Sequence, residues 1–200
     1  MPPIRPPSKL AHVLYRTRRF EPMVAWYRTV FDADVQYRNP ALAFLSYDDE
    51  HHRFAFLNLD AVMPTASDVP RDASQGRCGI DHVGFSHATL DDLFGNYTQL
   101  KAQGIVPYWC IHHGLTVSMY YADPEGNQVE FQVDAFASSA QTSAFMHGPL
   151  FEQNPIGVEF DPEDWLAQVR AGAKLSDFLT RQVHQPMSPV RGSLAGSTAN

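Results

Sequence analysis

The sequence predicts an α+β fold of two βαβββ modules followed by a helical C-terminal extension. A strand-helix-strand-strand-strand pattern is legible twice, over residues 9–59 and 79–134. His12 and His82 fall at the same point of the two patterns, mid-way along the first strand and 70 residues apart. A duplication of this kind places residues 1–60 in a first module, 61–78 in a linker, 79–134 in a second module and 135–200 in the extension.

In the first module, KLAHVLYRT (9–17) has the branched and aromatic content of a strand. FEPMVAWYRTVF (20–31) reads as a helix with Pro22 in its first turn. Three strands follow: DVQYRN (34–39), LAFLSYD (42–48) and RFAFLNL (53–59). The linker is rich in Pro, Ser and Asp and irregular. In the second module, GIDHVGFSHA (79–88) is a strand and TLDDLFGNYTQLKAQG (89–104) a helix. Thr89 and Asp92 make a capping-box start, Leu93, Tyr97 and Leu100 share one face, and Gly104 is the stop. VPYWCIHH (106–113), VSMYYAD (117–123) and QVEFQVD (128–134) are three more strands. Residues 135–160 read as a loop or extended arm. A helix opens at Asp161-Pro162-Glu163-Asp164 and ends near Gly172, a second helix spans 174–184, and residues 188–200 have the composition of a tail. The extension is expected to cover the modules or to contact a partner subunit.

Composition narrows the function classes. With 44% hydrophobic and 12% aromatic residues in 200, the chain is globular. A net charge of −7 with no basic stripe argues against a nucleic-acid partner. The opening MPPIRPPSK lacks the apolar region of a secretory signal, and no apolar run approaches the ~20 residues of a membrane span. The only cysteines, Cys78 and Cys110, form no CxxC spacing and are expected as free thiols in a reducing cytoplasm.

The chemistry-bearing residues are His12, His82 and Glu130. Two imidazoles and one carboxylate on rigid strands suit non-haem Fe(II), leaving positions open for substrate and O₂; Mn(II) fits similar ligands. In QVEFQVD, Glu130 shares a face with Gln128 and Gln132, an arrangement that wants a polar cavity. If the Asp123-Pro124-Glu125-Gly126-Asn127 turn pairs Asp123 with Asn127, Tyr120 stands directly opposite Glu130. His112 or His113 ends the preceding strand and either can close over the same opening. Phe44, Phe54, Phe56, Tyr108, Trp109, Phe131 and Phe145 are candidates for an aryl pocket, although ordinary core is the commoner role of such residues. His147 is a candidate cap in the extension, with a surface loop the commoner reading; His87 and His184 read as surface residues.

This pattern resembles the vicinal oxygen chelate superfamily over about residues 9–134, and within it the small one-domain type I extradiol catechol dioxygenases. The resemblance implies that the modules form a U-shaped metal cleft, with His12, His82 and Glu130 as ligands. Tyr120 lies ten residues before Glu130, as the family's tyrosine does. A family histidine near nineteen residues before the ligand Glu matches His112 or His113, eighteen and seventeen before, with a small gap. His51-His52 matches a His-His pair of the first module, with His52 implied as the functional member; the stretch from there to His82 is longer than usual. The implied reaction is ring opening of a catechol-type diol by O₂, giving a muconic-semialdehyde-type product. His52 would handle protons at oxygen, and Tyr120 and one of His112 and His113 would contact substrate. Other branches of the superfamily are metal-dependent isomerases, thiol transferases and non-catalytic binders. Glyoxalase-type sites take a fourth ligand from the first module's last strand, where Ala55 or Phe56 stands here. Exposed module edges and the long extension suggest a homo-oligomer.

Overall fold

The computed structural model describes residues 9–63, 80–181 and 185–192. The chain divides into two compact units, residues 1–69 with 123–125, and residues 70–122 with 126–200.

In the first unit, β1 (Val13–Thr17) leads through α1 (Phe20–Phe31) to β2 (Asp34–Arg38), β3 (Leu42–Ser46) and β4 (Phe54–Asn58), followed by the single turn α2 (Leu59–Val62). The sheet order is β1-β4-β3-β2. β1 runs parallel to β4, and a parallel pair needs a crossover, which α1 supplies. The other pairs are antiparallel. α1 buries Phe20, Met23, Val24, Tyr27 and Val30, the three- and four-residue spacing of a helix lying on a sheet. The Tyr27 ring lies 4.7 Å from that of Phe54 and 4.9 Å from that of Phe56. Its hydroxyl donates to Asp123 Oδ2 at 3.2 Å, and the Thr17 hydroxyl donates to Glu125 Oε1 at 2.7 Å. These bonds hold the turn 123–125 in this unit.

In the second unit, β5 (His82–Ser86), α3 (Leu90–Ala102), β6 (Trp109–His112), β7 (Thr116–Ala122) and β8 (Gln128–Asp134) repeat the pattern. The extension adds α4 (Ser139–Met146), α5 (Pro149–Gln153), β9 (Val158–Glu159), α6 (Pro162–Arg170) and a 3-10 turn at Leu175–Leu179. β9 joins the sheet, whose order is β5-β8-β7-β6-β9. α3 starts with the expected capping box: Thr89 Oγ1 accepts from the Asp92 N–H, and Asp92 Oδ2 accepts from the Thr89 N–H, both at 3.1 Å. Leu93, Phe94, Tyr97 and Leu100 are its buried side. Among the described residues no helix is long and apolar enough to cross a membrane.

The structure departs from the sequence reading in four places. β1 starts at Val13 and β5 at His82, so His12 precedes its strand and His82 opens its strand instead of lying mid-way along it. The partner sets the limit, because the ladders begin at Val13–Phe54 and His82–Gln128. Residues 139–153 form two short helices where an arm was expected. They are started by the Ser138 side chain and by Pro149 and bury no residue, so they leave no apolar period to read. The second helix expected after Lys174 is only the 3-10 turn, and 182–184 lie outside the described residues. Residues 188–192, expected as tail, include the buried Ser188, whose hydroxyl accepts from Trp109 Nε1 at 3.1 Å and donates to Glu159 Oε1 at 2.7 Å.

Phe56 is fully buried between α1 and the first sheet. Phe56→Ala is expected to lower unfolding stability by about 3–5 kcal/mol, and Thr89→Ala by about 1 kcal/mol through loss of the cap. Urea unfolding followed by circular dichroism measures both.

Candidate metal centre and active site

Directly opposed strand residues share a face. In the second sheet, Tyr120 stands opposite Glu130 and Trp109 opposite Tyr120, while Gly84 lies beside Glu130 on the parallel partner. One face therefore carries His82, Gly84, Trp109, Ser118, Tyr120 and Glu130. Cys110, His112, Met119, Tyr121, Val129 and Phe131 take the other. The expected register of Tyr120 against Glu130 is the one observed, set by the Asp123–Asn127 turn.

His82 and Glu130 converge, with Nε2 3.2 Å from Oε2. The other ring nitrogen, Nδ1, donates to Asp81 Oδ2 at 2.9 Å. Gln128 holds this corner, its Nε2 donating to the Asp81 carbonyl at 3.0 Å and its Oε1 accepting from the Tyr108 hydroxyl at 2.6 Å. The hydrogen bond to Glu130 is the main cause that raises the His82 pKa to about 9; burial opposes it and Asp81 adds to it. Burial pushes the Glu130 carboxyl up, but the bonds offered by His82, Ser118 and Tyr120 outweigh it, so it stays below its ordinary value. Glu130 is only 6% exposed. Gly84 leaves it room: a Cβ there would lie 3.1 Å from Oε2.

The Tyr120 hydroxyl lies 3.1 Å from His113 Nε2. Burial, then Glu130, raises its pKa far above the ordinary value, so the phenol keeps its hydrogen. His113 Nδ1 is bonded to the Ile156 carbonyl. A carbonyl only accepts, so Nδ1 carries the hydrogen, and burial lowers the ring's pKa, keeping it neutral. Its Nε2 is then an acceptor facing Tyr120. Of the two histidines left open by spacing, His113 thus meets the Glu130 face. His112 turns to the opposite face, 2% exposed, its Nδ1 accepting from the Gly114 N–H at 3.0 Å and its pKa driven down to about 4 chiefly by burial.

In the first unit, His12 is exposed and its ring centroid lies 4.4 Å from that of His52. His52 stacks on Phe44 at 4.4 Å, and its Nδ1 is 2.6 Å from that of His51. Burial, followed by His12 and His51, lowers the His52 pKa. Pairing of Leu14 with Ala55 matches that of Gly84 with Glu130, so the position equivalent to Glu130 is the buried Ala55. The first module thus offers no carboxylate there. Among the described residues no three His, Cys, Asp or Glu side chains cluster closely enough to hold a metal ion; the described geometry brings His82 to Glu130 and His12 to His52.

The donor set of the second unit fits a divalent metal. A ligating histidine ordinarily gives its other N–H to a carboxylate, as His82 does to Asp81, and a buried carboxylate with space kept open by a glycine completes the pair. Asp81 and Gly84 escaped the sequence reading, although both lie within GIDHVGF beside the histidine itself. Of the aromatic candidates, Phe54, Phe56 and Phe131 are buried core on the far faces, while Phe44 and Trp109 lie on the histidine-bearing faces. Phe145 sits under Arg181, its ring centroid 5.4 Å from the guanidinium carbon. His87 is half-buried against Phe131 rather than at the surface, and His147 is exposed, bonded to the Ser143 carbonyl. Cys110 is a free thiol that burial pushes up to about 12; Cys78 and His184 lie outside the described residues.

Asp81→Ala should weaken metal binding about 10- to 100-fold, measured by titration of the metal-free protein. A metal held by His82 would have to displace its proton. Affinity is therefore expected to rise about tenfold per pH unit from neutrality to near pH 9 and then to level off. A flat profile between pH 7 and 9 would exclude His82 as a ligand.

Residues 9–131 match the family model described as the Glyoxalase/Bleomycin resistance protein/Dioxygenase superfamily. A biphenyl-2,3-diol 1,2-dioxygenase 2 of Rhodococcus globerulus is 46% identical over 154 residues, 77% of each chain. A biphenyl-2,3-diol 1,2-dioxygenase 3 of the same organism is 38% identical over 173 residues, 86% of this chain and 88% of that one. Among solved structures, a glyoxalase/bleomycin resistance protein/dioxygenase from Nocardioides aligns with a TM-score of 0.50 at 19% identity, over 66% of this chain and 86% of the other, a likeness of fold. With a family match over most of its length and relatives at this identity, the chain belongs to the glyoxalase/bleomycin resistance protein/dioxygenase superfamily.

Proposed function

We propose that the protein is an extradiol dioxygenase that opens a catechol-type diol with O₂, and that a biaryl diol is its substrate class. The observation that carries this reading is the shared face of the second sheet, where the His82–Glu130 pair stands beside the Tyr120–His113 pair. The names of the two curated relatives support the ring-cleaving chemistry and the biaryl diol. His12, His82 and Glu130 would hold the metal, Fe(II) in the first instance and Mn(II) as the alternative. When bound, that metal supplies the Lewis acidity that ionises the diol and a place where diol and O₂ meet.

The remaining chemistry falls to the chain's own side chains. With the Glu130 carboxylate engaged, the single phenolic hydrogen of Tyr120 is left for His113 Nε2, and the hydroxyl's lone pairs accept from a substrate hydroxyl. Tyr120 and His113 then form a short proton path away from the diol. His52, whose pKa is lowered by burial and by the neighbouring His12 and His51, acts as acid and base at oxygen. Trp109, its ring 5.0 Å from that of Tyr120, forms the apolar side against an aryl substituent. Ala55 supports the three-ligand reading over a four-ligand isomerase.

We further place the protein in the cytoplasm, on the free thiol of Cys110, and read it as a homo-oligomer, on the edge strand β2, all five of whose residues are exposed.

The test is oxygen consumption by anaerobically purified, Fe(II)-loaded protein given catechol, 2,3-dihydroxybiphenyl and a polycyclic diol, read with the yellow ring-fission product. Uptake with 2,3-dihydroxybiphenyl is expected, and Glu130→Ala should abolish both uptake and metal retention. His52→Ala should keep the metal and lose about 100-fold or more in kcat; normal turnover in that variant would remove His52 from the mechanism. Stoichiometric metal without oxygen uptake would favour an isomerase or transferase.

A further inference from the structure

We propose that Arg181, from the C-terminal extension, is a positioning residue for His113: it clamps the loop whose Ile156 carbonyl fixes that histidine's tautomer and aim. The inference rests on the ring-cleavage reading only in giving His113 a catalytic task.

Arg181 is 8% exposed, and its bonds go to backbone carbonyls. One terminal nitrogen donates to the His113 carbonyl at 3.1 Å and to the Asn154 carbonyl at 2.7 Å; the other donates to the Leu150 carbonyl at 2.6 Å. Among the described residues no carboxylate lies within ion-pair distance of it. A buried cation loses hydration, and burial lowers its pKa here. That cost is offset by bonds that tie three segments together: the end of β6, α5, and the loop after α5. The Phe145 ring supports the guanidinium from one side.

What the clamp holds is the stretch from Asn154 to Gly157. The Asn154 side chain closes this loop, accepting from the Gly157 N–H at 2.7 Å and donating to the Gly157 carbonyl at 3.1 Å. Gly157 has φ +117°, and a Cβ there would lie 2.5 Å from the His112 carbonyl oxygen and 2.8 Å from His113 Cα. Only glycine lets the loop lie this close to β6. The contact delivers the Ile156 carbonyl to His113 Nδ1, so the hydrogen is kept on Nδ1 and the acceptor Nε2 is left toward Tyr120. Without the loop, the ring is free to adopt the other tautomer, which would present a donor to Tyr120 and turn the proton path around.

The test pairs nitrogen NMR with kinetics on the full chain. Histidine is labelled with ¹⁵N and the protein loaded with diamagnetic Zn(II), and His113 is assigned by its loss in His113→Gln. The wild type is expected to show His113 protonated on Nδ1. In Arg181→Met and Gly157→Ala that pattern should give way to a mixture of tautomers. In the Fe(II)-loaded variants kcat should fall about 30- to 100-fold, with metal content unchanged and KM moved by less than about threefold, the signature of a misplaced catalytic group. Arg181→Lys keeps the charge and part of the bonding, so it should recover folding and an intermediate kcat should either larger change fail to fold. A wild-type His113 protonated on Nε2, or a folded Arg181→Met with unchanged tautomer and kcat, would overturn the proposal. Absence of turnover in the wild type would remove the ring-cleavage reading alone, since the nitrogen spectra still decide the clamp.

Discussion

The parallel pairing of β5 with β8 is the constraint on which the site of the second unit depends. It sets Gly84 beside Glu130 and His82 beside Gln128, and so brings an imidazole and a carboxylate together on adjoining strands. Slipping that register by one residue would turn Glu130 to the helix side and put Val129 or Phe131 in its place. The antiparallel pairing of β7 with β8 adds Tyr120 from the opposite side. α3 enforces both pairings by covering the apolar face, where Val129 and Phe131 are buried. The helix thus has a functional effect without touching the site.

Much of this was legible in the sequence. The alternation in QVEFQVD and the short Asp-Pro-Glu-Gly-Asn turn were enough to set Tyr120 against Glu130, because a tight turn leaves a ladder little freedom of register. Strand periodicity also locates the helices by default, as the amphipathic stretches between. What one strand cannot reveal is which of two adjacent residues faces in when its end is uncertain; the choice between His112 and His113 needed the pairing of Trp109 with Tyr120. The partners that orient a side chain are harder still. Asp81 is next to His82 in sequence, yet a carboxylate beside a histidine in an extended segment ordinarily points the other way. It reaches the ring because it precedes the strand, where the chain is not held to alternation.

The extension was the least legible part, for a thermodynamic reason. Its short helices bury no residue and are held by caps, a proline and hydrogen bonds to carbonyls, none of which gives an apolar period. Arg181 is the extreme case: a charged residue in an unremarkable stretch of sequence is read as surface, and its three acceptors are main-chain atoms with no side-chain identity. Contacts made by backbone carbonyls are invisible to any reading by residue type.

Ala55 carries a consequence in charge. The two modules repeat one pattern, but only the second supplies a carboxylate at the equivalent position. Under the proposed ligand set, a divalent ion meets two neutral imidazoles and one negative oxygen, and one positive charge is left over. A carboxylate in place of Ala55 would cancel it. On that proposal the uncompensated charge would favour an anionic ligand over a neutral one, and so a diol that has given up a proton. On the proposed ligand set, a methyl group, by being uncharged, would set which protonation state of the substrate the pocket holds.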